Sequence, residues 1–136
     1  MDLMKSLKIA AAGLRAQSSR MRIVSENLAN ADSTARTAGG DPYRRQIPTF
    51  KADFDRELGA HIVKPGRVRE DMSEFSTRYE PGHPAADAKG YVKTANVSTL
   101  VEMMDMREAQ RSYEANLNIV RSARTMIQRT LDILRA

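Results

Sequence analysis

His61 and His83 are the side chains best placed by type to do acid–base or metal chemistry near neutral pH, and they are the only two histidines in 136 residues. Both sit in loop-like contexts, and neither has a second His at the spacing that puts two ligands on one helix face. Pro81 and Pro84 flank His83, which suits a rigid turn better than a metal site. Asp41, Asp53, Asp55 and Glu57 are close enough in sequence to pair as a general acid and base. Such a pair needs a pocket that separates the two proton affinities, and the middle of the chain holds little apolar material to build one. The absence of cysteine excludes thiolate ligands, disulfides and Cys nucleophiles. There is no P-loop, dinucleotide fingerprint or nucleophile elbow. The expectation is a protein without catalytic residues, metal ligands, cofactor or small-molecule substrate.

Recognition of other macromolecules is the remaining chemistry. Arg36, Arg44, Arg45 and Lys51 alternate with Tyr43 and Phe50, a mixture of charge and stacking surface that single-stranded nucleic acid can use. The acids at Asp41, Asp53, Asp55 and Glu57 dilute that stripe, and Arg and Tyr serve equally in protein interfaces, so no nucleic-acid partner is expected. The overall charge of +5, from 22 Lys and Arg against 17 Asp and Glu, is basic but mixed in sign. Seven aromatic residues and no Trp rule against a large globular core.

Two long amphipathic stretches dominate the chain. From Met103, alternating steps of three and four residues pick out Met106, Gln110, Tyr113, Leu117, Val120, Arg124, Ile127, Leu131 and Leu134; only Gln110 and Arg124 break the apolar seam. Ala109, Ala123, Met126 and Ile133 widen it, so the face can meet more than one neighbouring helix. A helix over Val97–Leu134 would be on the order of 55 Å long, more than a compact core of this size needs. Residues 1 to 30 repeat the spacing with Leu3, Leu7, Ala10, Leu14, Gln17, Met21, Val24 and Leu28. Gly13 is the weak point of that helix, costing about 1 kcal/mol relative to Ala, while Ala10 to Ala12 allow another helix to come close. The opposite face carries Lys5, Lys8, Arg15, Arg20 and Arg22, the solvated side of a packed helix or, alternatively, the anchor of a peripheral membrane module. No apolar run reaches the roughly 18 to 20 residues that cross a bilayer, and no secretory signal is recognisable.

Between the helices the pattern is irregular. Asn27, Asn30, Asp32 and Ser33, then Gly39, Gly40, Asp41 and Pro42, end the first helix in a polar exit loop. Residues 44 to 50 and 60 to 71 read as short strands, separated by a helical turn near Ala52 to Leu58, with Lys64-Pro65-Gly66 as a turn. Residues 80 to 96 form an extended polar connector, after which Asn96 or Ser98 caps the second helix with Glu102 in its first turns. The expected fold is mainly α. The N- and C-terminal helices form an antiparallel, coiled-coil-like pair, comprising residues 1–30 plus 97–136, and residues 31–96 form a small, irregular, β-containing middle with the connector at 79–96.

Three stretches carry a resemblance. SENLANADST, residues 25 to 34, resembles the N-terminal signature of bacterial flagellar rod and hook axial proteins, and EMMDMREAQRSYEAN, residues 102 to 116, is similar to their C-terminal signature. YEPGHPAADAKGYVKTANV, residues 79 to 97, resembles the connector of a proximal-rod member of that family. The matching positions include Asn27, Leu28, Ala29, Asn30, Pro81, Gly82, His83, Pro84, Asp87, Gly90, Tyr91, Asn96, Val97, Tyr113, Ala115 and Asn116. Arg107, Glu114 and Ala95 depart from the usual pattern. The resemblance implies a structural subunit of the flagellar basal body that is exported unfolded through the flagellar type III export apparatus, without a cleavable signal peptide. It implies polymerisation in the periplasm against other rod subunits and neighbouring copies of itself. Connector residues 79 to 96 would then dock on an adjacent subunit.

Overall fold

The computed structural model describes residues 2–135. Residues 1 and 136, the outermost positions of the two expected helical ranges, lie outside them.

Helix α1 spans Leu3–Ala29. Its start is set by Asp2, whose Oδ1 accepts the Met4 and Lys5 N–H groups at 3.0 and 3.3 Å and so satisfies two donors that no helical carbonyl can reach. Its end is set by Asn30, whose side-chain amide donates back to the Glu26 carbonyl at 2.8 Å. Helix α2 spans Thr99–Arg135 without interruption. The Ser98 carbonyl accepts the Glu102 N–H at 3.0 Å, which puts Ser98 at the capping position, and Asn96 is occupied elsewhere.

Between the helices lie three two-stranded antiparallel sheets: β1 (Gln46–Ile47) with β4 (Arg69–Glu70), β2 (Phe50–Asp55) with β3 (Ala60–Pro65), and β5 (Ser76–Tyr79) with β6 (Tyr91–Thr94). Two expectations for this segment need correction. The helical turn near Ala52 to Leu58 is instead strand as far as Asp55, followed by a tight turn in which Asp55 Oδ1 accepts the Glu57 and Leu58 N–H groups. That side-chain turn, together with Gly59 at φ 57°, reverses the chain and lets β2 pair with β3 in register from Phe50 with Pro65 to Asp55 with Ala60. Lys64 and Pro65, expected in a turn, still belong to β3. The polar connector also gains structure. Its last residues form β6, which pairs with β5 and closes an eleven-residue loop, 80–90.

The chain divides into two compact units, each taking part of both helices. The first comprises Met1–Met21, Thr49–Arg67 and Arg107–Ala136; the second comprises Arg22–Pro48 and Val68–Met106. In the first unit the inner side of the β2–β3 hairpin lies against α1: Asp55, Leu58 and Ile62 share a concave surface with Leu7, Ala11 and Arg15, and Lys5 Nζ donates to the Gly59 carbonyl at 3.2 Å. Small residues carry the deepest burial there, namely Ala10, Ala12, Ala16, Ala109 and Ala123. A Cβ on Gly13 would stand 2.7 Å from Asn116 Oδ1, so this glycine marks a place where the Asn116 side chain of α2 lies against α1. Arg20 Nη2 lies 3.9 Å from Glu108 Oε2 in the same unit. In the second unit Val92 packs with Ala35 and Ala85, and Ile23 and Val24 of α1 are buried. An isolated bridge between Thr34 and Thr94 and a bond from the Ala95 N–H to the Ser33 carbonyl tie the exit of α1 to β6.

Candidate functional site

Asn27 stands at the end of α1 and is fully buried, as is Glu102 in the first turns of α2. A buried amide must find two acceptors and two donors, and Asn27 finds all four within the second unit. Its Nδ2 donates to the Gln46 carbonyl at 2.8 Å and to Glu102 Oε2 at 3.1 Å. Its Oδ1 accepts the Tyr43 hydroxyl at 2.8 Å and the Gln46 N–H at 2.9 Å. The second oxygen of Glu102 accepts Arg45 Nε at 2.5 Å. Arg45 in turn reaches Asp71 at 3.5 Å, and its backbone N–H donates to Asn96 Oδ1 at 2.7 Å. Asn96 completes the circuit by donating to the Asp71 and Ser73 carbonyls.

Electrostatics follow from this geometry. Burial works against the Arg45 charge, but the hydrogen bond and charge of Glu102, helped by Asp71, outweigh it and hold the guanidinium pKa above the ordinary arginine value. The Ser73 backbone N–H, and then Arg45, hold the Asp71 carboxyl below the usual range. Burial, with the charges of Glu26 and Glu102, pushes the Tyr43 phenol up, so it stays protonated and donates to Asn27. Every charged member is engaged by another member. Among the described residues no three His, Cys, Asp or Glu side chains converge as a metal site. The arrangement holds the end of α1, the strand entry at 43–46, the 71–73 turn and the start of α2 to one another.

The signature residues take varied places. Leu28 is half-buried and Ala29 exposed. His83 is fixed at both ring nitrogens, with Nδ1 accepting the Ala85 N–H at 3.0 Å and Nε2 lying 3.3 Å from Thr34 Oγ1. Asp87 Oδ1 accepts the Lys89 and Tyr91 N–H groups, and the Tyr91 N–H holds the carboxyl below its usual range. Gly90 has φ 84° and fits beneath Tyr79, whose ring meets that of Tyr91 edge to face at 5.3 Å. Pro81, Gly82 and Pro84 are exposed along the same loop, while Val97 is half-buried. Asn116 covers Gly13, with its Nδ2 bonded to the Ser112 carbonyl; Tyr113 is half-buried and Ala115 exposed.

Of the expected packing residues, Val24 is buried. Leu3, Leu7, Leu14, Met21, Leu28, Met106, Tyr113, Leu117, Val120 and Ile127 are half-buried, and Met103, Leu131 and Leu134 are exposed. Deepest burial on α2 falls beside that seam, on Glu102, Ala109 and Ala123, seven and then fourteen residues apart. Two of the arginines that suggested a nucleic-acid stripe, Arg44 and Arg45, are used internally, while Arg36 is exposed. Arg44 stacks 4.2 Å from the Phe75 ring centre and donates to the Asp71 and Ser73 carbonyls, and Arg45 belongs to the hub. Sequence reasoning missed the hub itself. The available signal was Glu102, a lone acid among Leu100, Val101, Met103 and Met104.

No helix among the described residues is long and apolar enough to cross a membrane. Residues 7–36 match the family model described as flagella basal body rod protein, and residues 88–133 match the flagellar basal body rod FlgEFG protein C-terminal model. The chain is 51% identical over 129 residues to the flagellar basal-body rod protein FlgC of Agrobacterium fabrum, covering 95% of this chain and 93% of the relative. It is 38% identical to the proteins of that name from Borreliella burgdorferi, with 98% and 99% of the two chains covered, and Salmonella typhimurium, with 98% of each covered. These relatives are named as rod proteins and not as enzymes. Likeness at this level over nearly the whole of both chains places the protein in the FlgC family of flagellar basal-body rod proteins.

Proposed function

We propose that the protein is a subunit of the proximal rod, exported unfolded by the flagellar type III system and polymerised through its terminal helices in the periplasmic part of the basal body. Its partners are neighbouring copies and other rod subunits, with the export apparatus as a transient one. The observation that carries this reading is the large apolar surface left open on α2: Met126, Leu131, Ile133 and Leu134 are exposed, and most of the three-four seam is only half-buried. Exposed apolar area on this scale marks a surface meant to be covered. The absence of cysteine leaves no covalent obstacle to unfolding for export.

In this reading residues 1–30 and 97–136 act together as the helical part, an antiparallel pair, and 31–96 as the middle. The contacts of the first unit support such pairing, since positions rise along α1 as they fall along α2: Leu3 shares a groove wall with Ile119 and Met126, Gly13 lies against Asn116 and Arg20 near Glu108. Residues 79 to 96, held stiff by His83, Asp87 and Gly90, dock on an adjacent subunit. Leu14→Asp or Leu117→Asp would bury an unpaired charge in the assembled seam and is expected to abolish incorporation into rods. Normal motility of cells carrying either variant would contradict the reading.

A further inference from the structure

In the run Gly82-His83-Pro84-Ala85, the proline carries no N–H, so the first backbone donor after His83 is that of Ala85. His83 Nδ1 accepts it at 3.0 Å. Ala85 is buried and packs with Ala35 and Val92, which leaves that N–H dependent on the imidazole. A ring nitrogen that accepts a hydrogen bond bears no proton, and this selects the neutral tautomer with its hydrogen on Nε2. The Nε2–H is then the donor to Thr34 Oγ1, 3.3 Å away. Through these two bonds the neutral ring fastens loop 80–90 to the segment leaving α1, beside the bridge of Thr34 with Thr94.

A second proton can enter the ring only at Nδ1, where it would point at the Ala85 N–H. Donor then faces donor, the cationic ring has to leave, and a buried N–H is stranded without a partner. Both ring bonds go to uncharged groups. The charged residues of the loop and of the two segments packed on it are Glu80, Asp87, Lys89, Asp32, Arg36 and Lys93. Glu80 is held by Arg78 at 2.8 Å and Lys93 by Asp41 at 3.3 Å, while Asp32, Arg36 and Lys89 are exposed. Asp87 is kept below the usual carboxylate range by the Tyr91 N–H, so it stays ionised where an imidazole titrates.

We propose that His83 is an acid-sensitive latch, whose neutral ring closes loop 80–90 onto the exit of α1 and whose protonation releases it. Stability from the latch is present at high pH and is lost as the pH falls. The chain's other histidine, His61, belongs to β3 in the first unit, so His83 is the one imidazole of the second. The latch is a property of the isolated chain and stands without the rod reading. On that reading, it makes docking by residues 79 to 96 weaken in acid.

The test is amide hydrogen exchange on the full-length monomer at about pH 7.5 and about pH 5, which bracket the ordinary imidazole titration, with each rate corrected for intrinsic exchange. Protection at Ala85 is expected to fall at least about tenfold between the two. His83→Asn separates the latch from a merely structural turn, because Asn Oδ1 also accepts the N–H two residues on but takes up no proton in this range. That variant is expected to keep Ala85 protected at both pH values. Protection in the unsubstituted chain that does not change with pH, or an equal loss in His83→Asn, overturns the inference. Should His83→Asn fail to fold, imidazole 15N shifts of the unsubstituted chain decide it. The Nε2–H tautomer is expected at the higher pH, converting to the doubly protonated ring in step with the loss at Ala85; the Nδ1–H tautomer, or a conversion that leaves Ala85 protected, overturns it.

Discussion

Glu102 is fully buried, and its charge is met by Arg45 on one oxygen and Asn27 on the other. Removing one partner of a buried ion pair costs far more than removing both, because a stranded charge cannot recover its lost water. Arg45→Ala should therefore destabilise the protein by about 3–5 kcal/mol. Arg45→Met combined with Glu102→Met should recover more than half of that loss in a denaturant titration; a double variant as unstable as the single would show that the pair is not the hub's main bond. Little of this was legible beforehand. Asn27 reads as a helix terminator and Glu102 as an acid suited to a helix N-terminus, and both readings are locally sound. What the sequence does not display is that Tyr43, Arg45 and Gln46, brought in by chain reversals, complete the hydrogen bonds of both groups.

At the level of elements, close approach of α1 and α2 in the first unit depends on small residues. Gly13→Ala would improve helix propensity by about 1 kcal/mol in an isolated helix. In the folded chain the added Cβ would meet Asn116 Oδ1 at 2.7 Å, and the Asn116 side chain is held by its bond to the Ser112 carbonyl. The variant is expected to lose about 1–3 kcal/mol, the usual cost of overpacking. Adding Asn116→Ala should restore stability to the native value or above, and a melting temperature unchanged by the second substitution would refute the contact. The helices themselves were legible because a three-four spacing over about thirty residues has few alternatives. Their expected bounds differ from Leu3–Ala29 and Thr99–Arg135 by at most two residues. The β5–β6 pairing was not legible, since Ser76–Tyr79 and Tyr91–Thr94 are short, polar and separated by a loop whose order comes from Asp87, His83 and Gly90 rather than from periodicity. The β2–β3 hairpin was half legible: β3 lies within the strand expected at 60 to 71, but most of β2 and the Asp55 turn fall in the stretch read as a helical turn.

Across the described residues, interior packing is sparse and built from alanines, two valines, Ile23 and a polar hub, while the larger apolar side chains of α2 stay half-buried or open. That division is what a subunit needs if its helices are to be completed by neighbours. A long helix with one uncovered apolar side gains little from packing, and helices in water are marginal without it. The direct measurement is amide hydrogen exchange on the unsubstituted chain, once as a dilute monomer and once assembled into rods. Amides at 117 to 135 are predicted to exchange rapidly in the monomer and to slow by at least a hundredfold in the rod, while those around Asn27 and Glu102 remain protected in both. Equal, strong protection of 117 to 135 in the dilute monomer would contradict the account.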